Sequence, residues 1–482
     1  MRRSLPPLLL ALALAGCAHV PADTAPPAAP DFARAQHAAT IKLAREGWPE
    51  ARWWSAFHDT QLDALIAQAL AGNPTLAVAQ ARLAVAGAAL RAEQASGGGA
   101  LGLDAGLNRQ RYSGNGLFPE PIGGNFYNDA SVQIRAAYDF DWWGKQRALV
   151  AAALGEVNAS RADYSVAEKT LAGAVAHSYF KLQAVLARID NVHARQALLA
   201  ELTAARAARV RQGLATIDEQ RGAERELALL GEEESRLATL AAREREALRA
   251  LSAGGSEAAP VATHRLPDVE PALPAQLGME LLARRPDLQA ARWRVEASLG
   301  RIDASRAAFY PDINLAGAVG LDAVSLSRLL QANSLTMLAG ATLRMPLFDS
   351  SRLNIRIEQA RLQRNALMAD YNRRVLDAVR DVAEEGATLQ GIGRQVAANG
   401  ATRKASAALL DATQKRFAHQ LGDRPSLLQA KLEMLRQDDS ALQLRDAALQ
   451  TQLALIDALG GGYRQDPQQT ASTNSSHRTI AQ

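Results

Sequence analysis

Between Ser131 and Trp142 polar and apolar residues alternate, and after Gly144 the pattern changes to an Ala-rich helical period that runs without a proline to about Gln212. Val132, Ile134, Ala136, Tyr138, Phe140 and Trp142 fall on one face, and Ser131, Gln133, Arg135, Asp139 and Asp141 on the other. That is the period-two signature of a strand with one apolar and one wet side. The helix that follows has roughly 70 residues and would rise on the order of 100 Å. No compact globular domain needs a half-wet strand feeding a helix of that length. A barrel standing on a long helical tube does.

The rest of the chain repeats this plan. Leu70-Ala71-Gly72-Asn73-Pro74-Thr75-Leu76 returns as Leu282-Ala283-Arg284-Arg285-Pro286-Asp287-Leu288, and Asp163-Tyr164 returns as Asp370-Tyr371. Self-similarity over such a period marks two copies of one structural unit. The expected order is a first repeat over 48–255, with a strand pair about 100–142 and a helical hairpin 143–251. A Pro-containing connector covers 256–275. A second repeat occupies 276–463, with a strand pair about 311–347 and a helical hairpin 350–459. The tail 464–482 is polar and is expected to be disordered. Each copy thus contributes two one-faced strands, four in all, each long enough to cross an outer membrane when tilted. Four strands cannot close a barrel, and lipid does not tolerate an open sheet edge. Two chains would give eight strands and a bore filled by side chains; three give twelve and room for water, so a homotrimer is expected.

Residues 1–16 read as an export signal, with Arg2 and Arg3 before the apolar stretch Leu5–Leu14. The segment Leu14-Ala15-Gly16-Cys17 resembles a bacterial lipobox, which makes Cys17 the expected lipid attachment residue. It is the only cysteine of the chain, so disulfides within the chain, Cys metal sites and a Cys nucleophile are excluded. Residues 17–47, rich in Pro, Ala and Asp, are expected to form a lipidated flexible tether. Ala18, rather than an aspartate, follows the cysteine, which favours the outer membrane over inner-membrane retention.

Other chemistries find little support. Net charge is +4 with both signs interspersed, and there is no basic block of the kind that binds nucleic acid. The eight histidines include no pair at metal-ligand spacing. There is neither a nucleophile elbow nor a phosphate-binding P-loop. No convergent set of acids, bases and nucleophiles can be assembled, so no catalytic residue is expected, and His177 and His193 read as packing residues. Trp142 and Trp143 after one strand, with Phe309 and Tyr310 before another, suit an aromatic girdle at a membrane interface.

The chain resembles the TolC-like outer-membrane factor family, in its lipoprotein (NodT-type) drug-efflux branch. The matching pieces are the lipobox, Trp53-Trp54 with Phe57 and Asp59, Asn73-Pro74, and Trp142-Trp143-Gly144-Lys145. Further on they are Leu281-Leu282-Ala283-Arg284-Arg285-Pro286-Asp287, Phe309-Tyr310-Pro311, Met345-Pro346-Leu347-Phe348 and Ala458-Leu459-Gly460-Gly461-Gly462. The resemblance implies an α+β membrane protein. Three chains share a 12-stranded transmembrane β-barrel, continued by a long α-helical barrel in the periplasm. It also implies an exit duct that passively conducts drugs or toxic organic compounds from an inner-membrane pump and its periplasmic adaptor (membrane fusion) protein. No cofactor is implied beyond the covalent lipid on Cys17.

The resemblance places a periplasmic aperture, closed at rest, at the turn between the long helices, with Phe417, Asp423, Arg424, Ser426 and Gln429 as its residues. Ser426 and Gln429 stand where family members commonly carry aspartates, and Gln420 replaces a frequent glycine. The loop Asn115–Gly124 with Tyr138-Asp139-Phe140-Asp141 is similar to members that work with aromatic-acid exporters; pumps of the resistance-nodulation-division type are the other choice. A different class also fits a lipidated, helix-rich chain: a periplasmic coiled-coil scaffold or adaptor without a pore. Two similar hairpins and four one-faced strands weigh against it.

Overall fold

The computed structural model of the chain describes residues 20–23, 25–28, 46–253, 261–268, 271–274, 278–346 and 349–464. A short 3-10 turn, Trp53–Phe57, leads into helices α1 (Thr60–Gly72) and α2 (Pro74–Ser96). Strands β1 (Ala100–Arg111) and β2 (Phe126–Asp139) follow, then the long hairpin α3 (Lys145–Arg211) and α4 (Ile217–Leu251). The second half repeats the order with α5 (Gly278–Arg284), α6 (Pro286–Ala307), β3 (Asp312–Ala323), β4 (Leu335–Arg344), α7 (Ser350–Ala418) and α8 (Arg424–Ala458). The long helices α3 and α7 have 67 and 69 residues. Among the described residues no helix is long and apolar enough to cross a membrane. The chain forms two compact units, one from residues 1–28, 83–160 and 291–370, the other from 29–82, 161–290 and 371–482.

The first unit holds all four strands as one antiparallel sheet in the order β1-β2-β3-β4. The register lines up whole rows of one polarity. Leu103, Ile134, Val319 and Met337 form one row and Leu101, Ala136, Gly317 and Ala339 the next, all on one face. Asp104, Gln133, Gly320 and Thr336 form a row on the other face. A one-residue slip would exchange the faces, so the alternation itself specifies the register. The pattern breaks at a few places: Leu338 shares the wet face with Arg135 and Ala318, and at the far end of β1 and β2 Arg109 and Asn128 pair on the otherwise apolar face.

β2 starts earlier and stops earlier than the alternation predicts. Its ladder ends at Asp139, although the Phe140 N–H still reaches the Ile313 carbonyl at 3.3 Å. The cause is the next helix. Asp141 turns out of the strand to cap α3, its two carboxylate oxygens each accepting a backbone N–H, from Gln146 and Arg147, at 3.0 Å. Trp142 therefore belongs to the corner and not to the strand.

Helices α3 and α6 of this unit cross closely. A Cβ on Gly300 would lie 2.7 Å from the Ala148 carbonyl oxygen, and one on Gly155 would lie 2.9 Å from Ala297 Cβ. These two glycines let the backbones touch, and Arg301 and Glu156 pair beside the crossing at 2.7 Å. Phe309 is 4% exposed and packs with Val20, Leu353 and Ile357. Burial here removes it from the exposed aromatic set in which its position before a strand had placed it. Residues Val20–Asp23, expected within a free tether, are instead held against α7 by Arg361 and Arg364. Cys17, Leu347 and Phe348 lie outside the described residues.

The second unit is helical. Its main core runs along α3, where Leu171, Val175, Tyr179, Phe180 and Leu199 are buried against Trp53, Trp54, Leu62 and Ile66 and against Leu237 and Leu449 from the return helices. Asp59 caps α1 through Gln61 N and Leu62 N, and its other oxygen accepts from the Tyr179 hydroxyl at 2.6 Å. Burial, and then the neighbouring Asp59 carboxylate, push the Tyr179 phenol above its ordinary pKa.

The two repeats close alike in this unit. Asn73 donates from its side chain to the Leu251 carbonyl at 2.8 Å, and Arg285, at the corresponding place, donates to the Ala458 carbonyl at 3.0 Å. Each satisfies a carbonyl that the end of a return helix would otherwise leave unpaired. Asp287 holds the Arg285 guanidinium by two hydrogen bonds, at 3.1 and 2.8 Å, which accounts for Arg285-Pro286-Asp287 as a motif.

Candidate functional site

In the sheet unit the apolar face is open. Leu101 is 78% exposed, Leu103 69%, Met337 71% and Leu343 60%. Water-facing side chains of that size in continuous rows mark a surface meant for another apolar phase. The opposite face carries Asp104, Gln133, Arg135, Asn314 and Thr342. Arg135 and Asp104, diagonal neighbours on adjacent strands, approach to 3.4 Å and both remain largely exposed. β1 and β4 each have one edge without a partner among the described residues.

At one end of the strands three of the four expected aromatics gather. Trp143 stacks on Tyr310 with ring centroids 4.7 Å apart, and its indole N–H donates to the Pro311 carbonyl at 2.8 Å. Trp142 is 62% exposed and lies 5.8 Å from Phe140, which in turn meets Tyr138 at 4.8 Å. Phe309 is not among them; it is buried with Leu353 and Ile357.

In the helical unit the residues expected at an aperture cluster at the α7–α8 turn. Both hairpin turns close in the same way. Gly213 N–H donates to Val210 O and Leu214 N–H to Arg209 O; Gln420 N–H donates to Phe417 O and Leu421 N–H to Arg416 O. These are paired bonds of the Schellman type, which need a left-handed residue just past the helix. Gly213 has φ +71° and Gln420 +59°, so Gln420 takes at some steric cost the conformation that glycine takes freely.

The charges at this turn pair within the chain. Asp423 caps α8 by accepting the Ser426 N–H at 3.0 Å and faces Arg209 of α3 at 3.6 Å. The Ser426 hydrogen bonds first, and Arg209 after them, hold the Asp423 carboxyl below its usual pKa. Arg424 pairs with Glu201 of α3, and Arg436 pairs with Glu226 of α4 and with Glu433. Ser426 and Gln429 are exposed and line a cavity of about 660 Å³, together with Arg206, Arg416 and Arg436. Phe417 is half-buried. Deeper in the unit Arg188 joins three helices, at 2.8 Å from Asp439 and 2.9 Å from Glu233, with Gln443 donating to Asp439 at 2.7 Å.

The two helical histidines make packing contacts. His193 meets Glu234 at 3.0 Å. His177 meets Gln450 at 2.7 Å; burial opposes its charge, but hydrogen bonds to Asp457 and Gln450 outweigh that and raise its pKa. Among the described residues no group of three or more His, Cys, Asp or Glu could hold a metal ion.

Comparison with known proteins decides what this combination of sheet and hairpins is. The family model described as "Outer membrane efflux protein" matches residues 65–254 and 277–461. The chain belongs to the outer membrane efflux protein family. Each matched segment falls within one of the two internal copies. The chain is 35% identical to the multidrug resistance outer membrane protein MdtP of Escherichia coli K12 over 474 residues, covering 94% of this chain and 95% of that one. It is 32% identical to MdtQ of Escherichia coli O6:H1 over 470 residues, covering 94% and 97%. The crystal structure of the outer membrane protein VceC of Vibrio cholerae superposes with a TM-score of 0.75 at 27% identity, covering 86% of this chain and 100% of that one. This chain is therefore an efflux channel subunit of the outer membrane that extends into the periplasm, and not an enzyme. The pore-free scaffold reading is set aside.

Several site residues escape inspection of the sequence. Glu201 and Arg209 hold the turn, yet they lie more than 200 positions before their partners Arg424 and Asp423. Only the repeat alignment, which sets the Gly213 turn beside the Gln420 turn, draws attention to Arg209. Arg361 and Arg364 carry no such signal.

Proposed function

We propose that three copies of this chain close a 12-stranded barrel and conduct multiple drugs outward, as the names of MdtP and MdtQ imply for those relatives. The observation that carries this is the sheet itself: one exposed apolar face, one largely polar face and, among the described residues, two unpaired edges. Edges unpaired in lipid are untenable, and joining β4 of one copy to β1 of the next removes all of them. The apolar rows then meet lipid and Asp104, Gln133 and Arg135 line water. Trp142, Trp143 and Tyr310 sit at the interface. Cys17 carries the lipid of the NodT-type branch.

The α7–α8 turn forms the aperture in this reading, with Phe417, Asp423, Arg424, Ser426 and Gln429 around it. Ion pairs from α3 to Asp423 and Arg424 hold the turn in its resting position, in place of aspartates at 426 and 429. The driving force comes from an inner-membrane pump of the resistance-nodulation-division or aromatic-acid exporter type, joined through a periplasmic adaptor. Planar-bilayer conductance of the purified complex, combined with its mass in detergent, tests the proposal. Discrete conductance steps from a particle of three chains are expected. A conducting particle of two or four chains, or a non-conducting trimer, refutes it.

A further inference from the structure

Helix α7 carries two arginines, Arg361 and Arg364, whose side chains are each only 7% exposed. Guanidinium groups are rarely buried without a dedicated set of acceptors, because their desolvation is costly. Here four of the acceptors come from one short segment near the start of the chain. Arg361 donates to the Pro21 carbonyl at 2.7 Å and to the Ala22 carbonyl at 2.8 Å. Arg364 donates to the two oxygens of the Asp23 carboxylate, at 2.7 and 3.1 Å. Immediately before them Val20 packs on Phe309, Leu353 and Ile357. An apolar pocket for Val20, one guanidinium for the Pro21 and Ala22 carbonyls and a second guanidinium for the Asp23 carboxylate read successive residues of one segment. That is the form of a peptide-binding site, with its peptide supplied in cis.

We infer that Arg361 and Arg364 are a docking site for Val20–Asp23 that fixes where the N-terminal lipid leaves the protein and enters the bilayer. The inference rests on the reading of Cys17 as the lipid-bearing residue. Three Cα steps separate Cys17 from Val20, so whatever path they take the lipid departs within about 11 Å of the Val20 pocket. That pocket is built on Phe309. The next residue, Tyr310, stacks on Trp143, so the lipid departs beside the exposed aromatics proposed to sit at the membrane interface. The arginines are positioning residues: they act on the lipid through the segment they hold. Asp23 is held ionised mainly by its hydrogen bonds from Arg364, so the clamp persists through the neutral range.

The test uses the full chain reconstituted in vesicles, with a nitroxide label on Ala22→Cys. Ala22 is exposed and offers only its carbonyl to the clamp. The expected result is an immobilised label at a single depth near the headgroups. Asp23→Asn leaves α7 untouched and should shorten the label's correlation time at least twofold. Arg361→Ala with Arg364→Ala should shorten it at least fivefold and spread its depth, with Lys at both positions restoring part of the effect. Mass measurement of the N-terminal peptide reports the lipid separately. A lipidated protein whose label is equally mobile with and without the arginines overturns the docking site and leaves the Cys17 reading intact. An immobilised label on a protein without lipid overturns the Cys17 reading, and with it the role inferred for the clamp.

Discussion

Placing an arginine on each face of β2 separates the proposed membrane arrangement from every alternative. Ile134 sits in the row Leu103–Ile134–Val319–Met337 and is 47% exposed in the single chain. If that row meets lipid near mid-membrane, Ile134→Arg costs about 2–4 kcal/mol in each copy. That lowers the fraction of correctly inserted chain by roughly 30- to 700-fold, at 1.4 kcal/mol per factor of ten. Gln133 is one residue away on the opposite face, directly across from Asp104 and beside Gly320, which has no side chain to obstruct a longer neighbour. An arginine at 133 gains an opposite charge at a cross-strand position, worth about 0.2–1 kcal/mol, so Gln133→Arg should insert as the parent does. The assay is heat-modifiable gel migration of outer-membrane fractions, which reports the folded assembly. Loss at 134 with retention at 133 is the expected result. Equal damage at both positions, or none at either, would refute the assignment of faces and with it the barrel.

Three further outcomes follow from the helical unit and the helix crossing. Asp423→Ala with Arg424→Ala removes two half-exposed pairs to α3, each worth about 0.2–1 kcal/mol, and should raise single-channel conductance and sensitivity to large antibiotics. Because the folded-state pKa of Asp423 is depressed, its contribution is complete above the ordinary carboxylate range and is lost as pH falls through the lowered value. The part of closure that Asp423 supplies should therefore be lost only in strong acid, and the double variant should not show that loss. Asp439→Ala leaves the largely buried Arg188 with Glu233 as its remaining carboxylate and should cost about 1.5–3 kcal/mol, read as a lower temperature for loss of the folded assembly; a shift no larger than that of the exposed Asp411→Ala would contradict the role given to Arg188. Gly300→Ala drives a methyl toward the Ala148 carbonyl and should destabilise, whereas Gly222→Ala on α4 meets nothing within 4 Å and should stabilise by about 0.5–1 kcal/mol; thermal melting of both variants checks the pair.

What the sequence by itself determined was everything written in short-range periods. Alternation over ten or so residues specified the four strands and which face of each is apolar. The unbroken Ala-rich stretches specified the long helices. The duplicated Leu-Ala motif specified two copies, because every copy must satisfy the same geometry at Asn73 and Arg285. Turn chemistry was legible too: Gly213 announces a left-handed turn, and its counterpart Gln420 is readable only through the repeat.

The tertiary structure alone decided which distant groups meet. Tyr310 and Phe309 are adjacent aromatics in sequence, yet one stacks on Trp143 in the open and the other is buried on Leu353 and Ile357. Asp423 and Arg424 look like a pair of charges at a turn, yet each is held by a different residue of α3. Arg361 and Arg364 look like solvated charges on a long helix, yet both are buried around Asp23, more than 300 residues earlier. The reason is physical. Periodicity is a property of neighbours along the chain, whereas the partner of a charge depends on which helix faces come together. That is settled by packing over the whole unit, and no local pattern records it.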